Sequence, residues 1–294
     1  MGGGGGWDYD YSDSALKKSS KEYAGEAKKE GIVRAHTAPQ SKGLPPPVGR
    51  EVTSSSPTPL VVGVDVTGSM AQWPGIIFQK LPVLYNEAKL HLPDVDISFC
   101  AIGDANIDQY PLQVCDFAKG KPLEAGINSL YPEGGGGGGI KESYEIAAYF
   151  YARHCRLPQA KHALFVFCGD EGFYERIKVN TVRKMTGATI AQDLDSYDIF
   201  AELKKRFDVY MLRVPYEDAE KDKAIHEQWQ GALSRQTVLR MEDPKRIVDC
   251  IIGLTAIQAE EQDKFSKRLA IRQTPAQVKQ VMGTLHPAIS KKGK

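Results

Sequence analysis

The stretch Leu60-Val61-Val62-Gly63-Val64-Asp65-Val66-Thr67-Gly68-Ser69-Met70 decides the fold of this chain. It begins as an apolar, β-branched run and ends in a carboxylate, two hydroxyls and a glycine. Such a run is typical of a fully buried strand in the middle of a parallel sheet. Because ligands of open α/β sheets bind just beyond the carboxyl ends of the strands, Asp65, Thr67 and Ser69 lie where a site is expected.

Helical and strand patterns alternate after this strand as far as residue 258. Predicted helices cover residues 73–90, 122–130, 140–154, 196–207, 219–233 and 244–258, and predicted strands cover 96–102, 111–117, 163–168, 209–214 and 237–241. Pro82 is expected to kink the first helix. Strands 96–102 and 111–117 are joined without a helix, which implies an antiparallel edge hairpin. The sequence therefore predicts the α/β class, with a doubly wound, mostly parallel sheet and an antiparallel edge hairpin.

Two flanking segments differ in composition from this domain, which we assign to residues 58–258. Residues 1–57 contain a glycine run and a Pro/Ser-rich linker, and we predict a flexible extension. Its aromatic cluster of Trp7, Tyr9 and Tyr11 has two interpretations: an arm that packs on its own domain, or a peptide that docks on a partner. Residues 259–294 carry eight Lys/Arg against three Asp/Glu and predict a basic, helical extension or a solvated tail.

The composition excludes several classes of function. Of the 294 residues, 41% are hydrophobic and 26% are charged, as in ordinary globular proteins, and the formal net charge is +1. This charge gives no general case for binding nucleic acid or a membrane surface. No apolar run approaches the ~18 residues that a membrane span needs, and no basic region precedes an apolar one at the N-terminus. Five dispersed cysteines favour reduced, buried thiols, so we expect a cytoplasmic protein.

Three loops of the predicted sheet carry oxygen ligands. The first contains Asp65, Thr67 and Ser69, and the second follows the glycine run 134–139 and contains Glu142 and Ser143. The third contains Asp170, directly after the buried strand 163–168. In a parallel sheet the two strands can lie side by side, so their C-terminal loops meet. Carboxylate and hydroxyl oxygens suit Mg²⁺, with Mn²⁺ or Ca²⁺ as alternatives.

The motif Asp-x-Thr-Gly-Ser-Met after a buried strand resembles the metal-ion-dependent adhesion site of von Willebrand factor type A domains, whose pattern is Asp-x-Ser/Thr-x-Ser. The resemblance implies that Thr67 and Ser69 coordinate the metal through their hydroxyls, and that Asp65 and Asp170 act directly or through water. It also implies a coordination position for an acidic residue of a partner. Here no threonine follows the second-loop glycines, so Glu142 or Ser143 would substitute. A glutamate would reduce the attraction of the metal for an incoming carboxylate.

The function that the resemblance implies is a non-enzymatic, metal-dependent protein-binding module. Intracellular bacterial or phage-type relatives are the closer match, which implies an adaptor or assembly factor in an intracellular complex, beside an ATPase of the AAA+ class. No Ser/His/Asp or Cys/His nucleophile set can be assembled from the sequence, which also favours binding. The alternative is a metal-dependent phosphatase or phosphotransferase with Asp65 as nucleophile. Against it, enzymes of the haloacid-dehalogenase type have an acidic residue where Thr67 stands.

Overall fold

The computed structural model describes residues 43–68, 70, 76–77, 80–131 and 139–292. Within this part of the chain, the strands are β1 (Val52–Thr53), β2 (Leu60–Asp65), β3 (Ile97–Ile102), β4 (Leu112–Val114), β5 (Lys141–Glu142), β6 (Cys155–Arg156), β7 (Leu164–Gly169), β8 (Gly172–Phe173), β9 (Arg176–Ile177), β10 (Leu194–Asp195), β11 (Asp208–Arg213) and β12 (Val238–Arg240). The helices are α1 (Leu81–His91), α2 (Lys121–Asn128), α3 (Tyr144–Arg153), α4 (Val179–Thr186), α5 (Ser196–Lys204), α6 (Ala219–Ala232), α7 (Ile247–Gln258), α8 (Gln262–Arg272) and α9 (Pro275–Lys292).

A six-stranded sheet in the order β12-β11-β7-β2-β3-β4 forms the centre of the molecule. Strand β2 is parallel to both of its neighbours, with Val61 opposite Phe165 on one side and Ser98 on the other. Only β4 is antiparallel within this sheet, pairing Val114 with Cys100 of β3. The carboxyl ends of β2 and β7 therefore lie side by side, as the apolar runs predicted.

Helices cover both faces of this sheet, so alternate side chains of β2 enter two separate apolar cores. Leu60, Val62 and Val64 face a core that also contains residues of α1, α7, α8 and α9. Val61 faces the second core, to which α3, α5 and α6 contribute. Burial on both faces explains why the strand reads as a continuous apolar run. The predicted fold class is confirmed: a doubly wound, mostly parallel α/β sheet with an antiparallel edge hairpin.

The structure differs from the predicted elements at several points. Helix α1 begins at Leu81 and has Pro82 in its first turn, where a missing N–H costs nothing. Ile76 and Ile77 are also helical and Lys80 lies in a turn, so the predicted helix is interrupted beside Pro82, where the kink was expected. Helix α3 begins at Tyr144 instead of residue 140, because Lys141 and Glu142 pair with β8 as a short parallel strand. Helix α4 was not predicted, and neither were strand β9 before it and strand β10 after it, which pair with each other.

Residues 43–57, placed by the sequence analysis in the flexible extension, contact the domain. Strand β1 pairs in parallel with β6, and the side chain of Val52 is fully buried. The hydroxyl of Ser54 donates to the carboxylate of Asp96 at 2.8 Å, and the hydroxyl of Ser56 donates to the backbone oxygen of Asp94 at 2.5 Å. Residues 43–57 contain few apolar side chains, and strand pairing and side-chain hydrogen bonds attach them to the folded domain. Residues 1–42 lie outside the described part of the chain.

The C-terminal segment, for which the sequence left a helical extension and a solvated tail open, forms helices α8 and α9 and closes one of the two cores. Phe265, Leu269 and Leu285 are buried against α7. Gly253 of α7 allows this packing, because a Cβ there would lie 2.2 Å from Cδ1 of Leu285. A buried carboxylate also joins α1 to α8: Glu87 accepts hydrogen bonds from the side chain of Arg268 and forms an ion pair with Arg272 at 2.8 Å.

Two further expectations concern thiols and membranes. All five cysteines are free and buried, as their positions inside apolar runs predicted. In the described residues, no helix is both long and apolar enough to cross a membrane.

Candidate metal centre

Asp65 is the last residue of β2, and its carboxylate is fully buried at the carboxyl edge of the sheet. Oδ1 accepts hydrogen bonds from the backbone N–H and the hydroxyl of Thr67, at 2.9 and 2.8 Å. Oδ2 accepts a hydrogen bond from the hydroxyl of Tyr144 at 2.9 Å. Burial raises the pKa of Asp65 to about 7, the hydrogen bonds from Thr67 oppose this, and the charge of Asp170 raises it further.

Thr67 joins the first loop to the second. Its Oγ1 lies 2.8 Å from Oδ1 of Asp65 and 2.8 Å from Oε1 of Glu142, and it has one proton to donate between these two acceptors. Gly68 follows with φ of +45°, a backbone conformation that favours glycine and turns the chain tightly after Thr67. The turn brings a hydroxyl from the β2 loop against a carboxylate from β5, as a site shared between the loops requires.

Glu142 is 5% exposed, and its Oε2 has no hydrogen-bond partner among the residues that the structure describes. Burial raises its pKa to about 10, with a further contribution from the charge of Asp65, while the bond with Thr67 opposes the shift. A buried carboxylate oxygen without a donor is costly, and a cation would satisfy it. This orphaned oxygen shows that the residues present fit a bound cation.

The third loop contributes Asp170 and Glu171. Burial raises the pKa of Glu171 to about 8, and the charges of Asp65 and Asp170 add to the shift. The backbone oxygen of Asp170 accepts a hydrogen bond from Arg213 at 3.3 Å, while the guanidinium of Arg213 forms an ion pair with Asp222. Carboxylates of three loops thus influence one another at one edge of the sheet.

The structure brings together most of the predicted site residues that it describes. At the carboxyl edge of β2 and β7, the hydroxyl of Thr67 contacts the carboxylates of Asp65 and Glu142. Asp170 lies close enough for its charge to raise the pKa of Asp65. Ser143 lies next to Glu142, but its hydroxyl accepts a hydrogen bond from the backbone of Ala105 at 2.9 Å. Ser69 and the aromatic cluster of Trp7, Tyr9 and Tyr11 lie outside the described residues, so their roles stay predictions.

Sequence reasoning missed the aromatic support of this site. Tyr144 was not among the predicted site residues, yet its hydroxyl donates to Asp65, and its ring packs edge-on against that of Trp229, with 5.1 Å between the ring centroids. The indole N–H of Trp229 donates to the backbone oxygen of Glu171 at 2.9 Å. Gly169 is required beside it, because a Cβ there would lie 1.7 Å from the hydroxyl oxygen of Tyr144. The position of Tyr144, directly after the second loop, was the signal that could have identified it.

The donor set is made of oxygen atoms, which suits a hard divalent cation such as Mg²⁺. Within the described ranges, no group of three or more His, Cys, Asp or Glu side chains is placed so as to hold a metal by itself. A cation at this edge would therefore also need hydroxyl oxygen, which Thr67 provides and which the motif predicts for Ser69. The fold and the site together define a doubly wound α/β domain with a candidate hydroxyl–carboxylate metal centre.

Comparison with known proteins gave structural likenesses at low identity. No family model matches the sequence, and no curated protein matches it either. The pilus adhesin SpaC from Lactobacillus rhamnosus GG, in its open conformation, aligns with a TM-score of 0.47 and 12% identity over 75% of this chain and 31% of that chain.

Proximal thread matrix protein 1 from the mussel byssus aligns with a TM-score of 0.43 and 9% identity over 71% of this chain and 49% of that chain. A form of the same protein with zinc in its MIDAS motif aligns with a TM-score of 0.38 and 10% identity. This chain spans about a third to a half of the length of these structures.

Proposed function

We propose that this chain is a divalent-metal-dependent protein-binding module, with its metal held where the loops after β2, β5 and β7 meet. The observation that carries the proposal is the buried contact between Thr67 and Glu142, which leaves Oε2 of Glu142 without a donor beside Asp65. When bound, the metal supplies a positive charge that these oxygens share. Asp65, Thr67 and Asp170 would hold it, together with Ser69 from the motif and one residue of the second loop, and Mg²⁺ is the preferred ion.

The site is arranged for binding more than for catalysis. Asp65 is fully buried, so it offers no accessible carboxylate oxygen to a phosphate ester. The burial of Asp65 therefore disfavours the alternative function as a phosphatase or phosphotransferase. The resemblance of the motif to von Willebrand factor type A domains supports an adaptor or assembly factor in a cytoplasmic complex. An ATPase of the AAA+ class is the partner that this resemblance suggests.

Calorimetric titration of metal into the full chain tests the proposal. We expect Mg²⁺ and Mn²⁺ to bind with one-to-one stoichiometry, and we expect binding to be lost in Asp65→Ala and weakened in Ser69→Ala. Affinity capture from the native host, with and without chelator, then tests whether a partner depends on the metal. A wild-type chain that binds no divalent metal, or a partner that binds equally well in chelator, would refute the proposal.

A further inference from the structure

The structure separates the two candidates for the missing loop threonine. Ser143 ties α3 to the hairpin loop, because its hydroxyl accepts the N–H of Ala105 and its own N–H donates to the backbone oxygen of Gly103 at 3.1 Å. Both polar groups are thus engaged in holding backbone. The hydroxyl of Ser143 is therefore directed at the hairpin loop, whereas that of Thr67 is directed at the carboxylates of the site.

Glu142 has the opposite properties. Its backbone is fixed by the pairing of β5 with β8, where Glu142 lies opposite Phe173. From this position Oε1 reaches the hydroxyl of Thr67, and Oε2 remains buried without a donor in the described part of the chain. A carboxylate held rigidly against a motif hydroxyl, with one oxygen unused, is prepared to bind a metal.

The charge balance at this edge follows from that assignment. The carboxylates of Asp65 and Glu142 lie on either side of Oγ1 of Thr67, 2.8 Å from each, and Asp170 and Glu171 directly follow the neighbouring strand β7. A bound metal requires its carboxylate ligands to be ionised, and four ionised carboxylates at this edge exceed the charge of one divalent cation. The ammonium of Lys141 lies over the ring of Tyr174, 5.9 Å from its centroid. A loaded site of this composition repels an incoming carboxylate and attracts a cationic group.

We propose that Glu142, and not Ser143, supplies the second-loop ligand, and that the loaded site receives a basic side chain of the partner. This inference rests on the proposed function, since it assigns a ligand and a partner chemistry to the same site. It differs from the resemblance, which implies an acidic residue of the partner at the metal. The binding partner is thus expected to present lysine or arginine at the contact.

Metal titration tests the ligand assignment. Free Mn²⁺ is measured by electron paramagnetic resonance in the full-length wild type and in Glu142→Gln, Ser143→Ala and Glu51→Gln, the last as a matched control. Glu51 is exposed, next to the β1–β6 pair and away from the second loop. We expect Glu142→Gln to weaken Mn²⁺ binding at least about tenfold and the other two variants to bind within about twofold of wild type.

Two outcomes of this titration have different meanings. If the wild type binds Mn²⁺ and Glu142→Gln binds it equally well, or if Ser143→Ala shows the loss instead, this inference is overturned while the proposed function stands. If the wild type binds no Mn²⁺, the proposed function itself fails.

Peptide binding tests the partner chemistry. Two amidated peptides, one of alternating glycine and lysine and one of alternating glycine and glutamate, are titrated into the Mg²⁺-loaded protein at low salt. We expect the lysine peptide to bind at least about tenfold tighter, and we expect Glu142→Gln to reduce this preference. A lysine peptide that binds no better than the glutamate peptide overturns the assignment of a basic partner.

Discussion

Replacement of Asp65 by asparagine is expected to remove a pH-dependent loss of stability from the metal-free protein. The change preserves the shape of the side chain, because an amide oxygen can still accept the bonds from Thr67 and an amide N–H can donate to Tyr144. The carboxylate pKa moves from 3.8 to about 7 on folding, mainly through burial. The folded state therefore holds a proton that the unfolded chain has already released.

The sign and the size of the effect follow from this shift. Stability contributed by Asp65 is fully present below its unfolded pKa of 3.8 and is lost as the pH rises through about 7. Each pKa unit corresponds to about 1.36 kcal/mol, so the part lost between about pH 5 and pH 8 amounts to about 3 kcal/mol. Metal binding opposes this loss, and a cation at about 100 times its Kd adds about 2.7 kcal/mol.

Urea denaturation followed by circular dichroism, in chelator at several pH values, measures the effect. The free energy of unfolding of the wild type should fall by about 3 kcal/mol more than that of Asp65→Asn over this range, and Mg²⁺ should restore the wild type alone. Parallel pH dependences for the two proteins would show that Asp65 is not desolvated as described, and the argument from its burial would fail.

Three further changes test the packing around the site and the C-terminal helices. Gly169→Ala places a Cβ on the hydroxyl of Tyr144 and should cost about 1–3 kcal/mol in urea unfolding and weaken Mn²⁺ binding. Gly283→Ala in α9 is its matched control, because nothing lies within 4 Å of a Cβ there, and it should raise stability by up to about 1 kcal/mol. Glu87→Gln weakens a buried ion pair with Arg272 and should lower the free energy of unfolding in urea by about 3–5 kcal/mol. A decrease below about 1 kcal/mol would contradict the assignment of a stabilising role to this pair.

The sheet was predictable because its strands are apolar on both faces. Strands β2 and β7 read as short apolar runs, and polar residues after each of them indicated the edge where a site lies. The two-residue strand β5 has no such pattern: Glu142 is a strand residue only because β8 lies beside it. The pairing of β5 with β8 includes Glu142 and leaves Ser143 outside the strand, so the two residues face different parts of the structure. It is a tertiary contact, and no local sequence pattern predicts it.

The sequence predicts the buried face of the C-terminal helices, but not their ion pair with α1. Phe265 and Leu269 are four residues apart, and Val281 and Leu285 repeat this spacing, which is a helical apolar face that a count of charges overlooks. The contact of Glu87 with Arg268 joins residues 181 positions apart. No local pattern shows which of many charged residues finds such a partner, so this buried pair emerges only from the fold.

The edge-on contact between Tyr144 and Trp229 gives this protein a built-in optical probe. The phenol donates to the carboxylate of Asp65, whose charge changes when a cation binds, and the indole contacts the phenol ring and donates to the backbone oxygen of Glu171 in the third loop. Trp229 is fully buried, and its emission is therefore governed by these neighbours more than by solvent. The chain has three tryptophans, so the fluorescence of a Trp7→Phe, Trp73→Phe double variant, excited at the red edge of the indole band, should follow metal loading at Trp229 without a label.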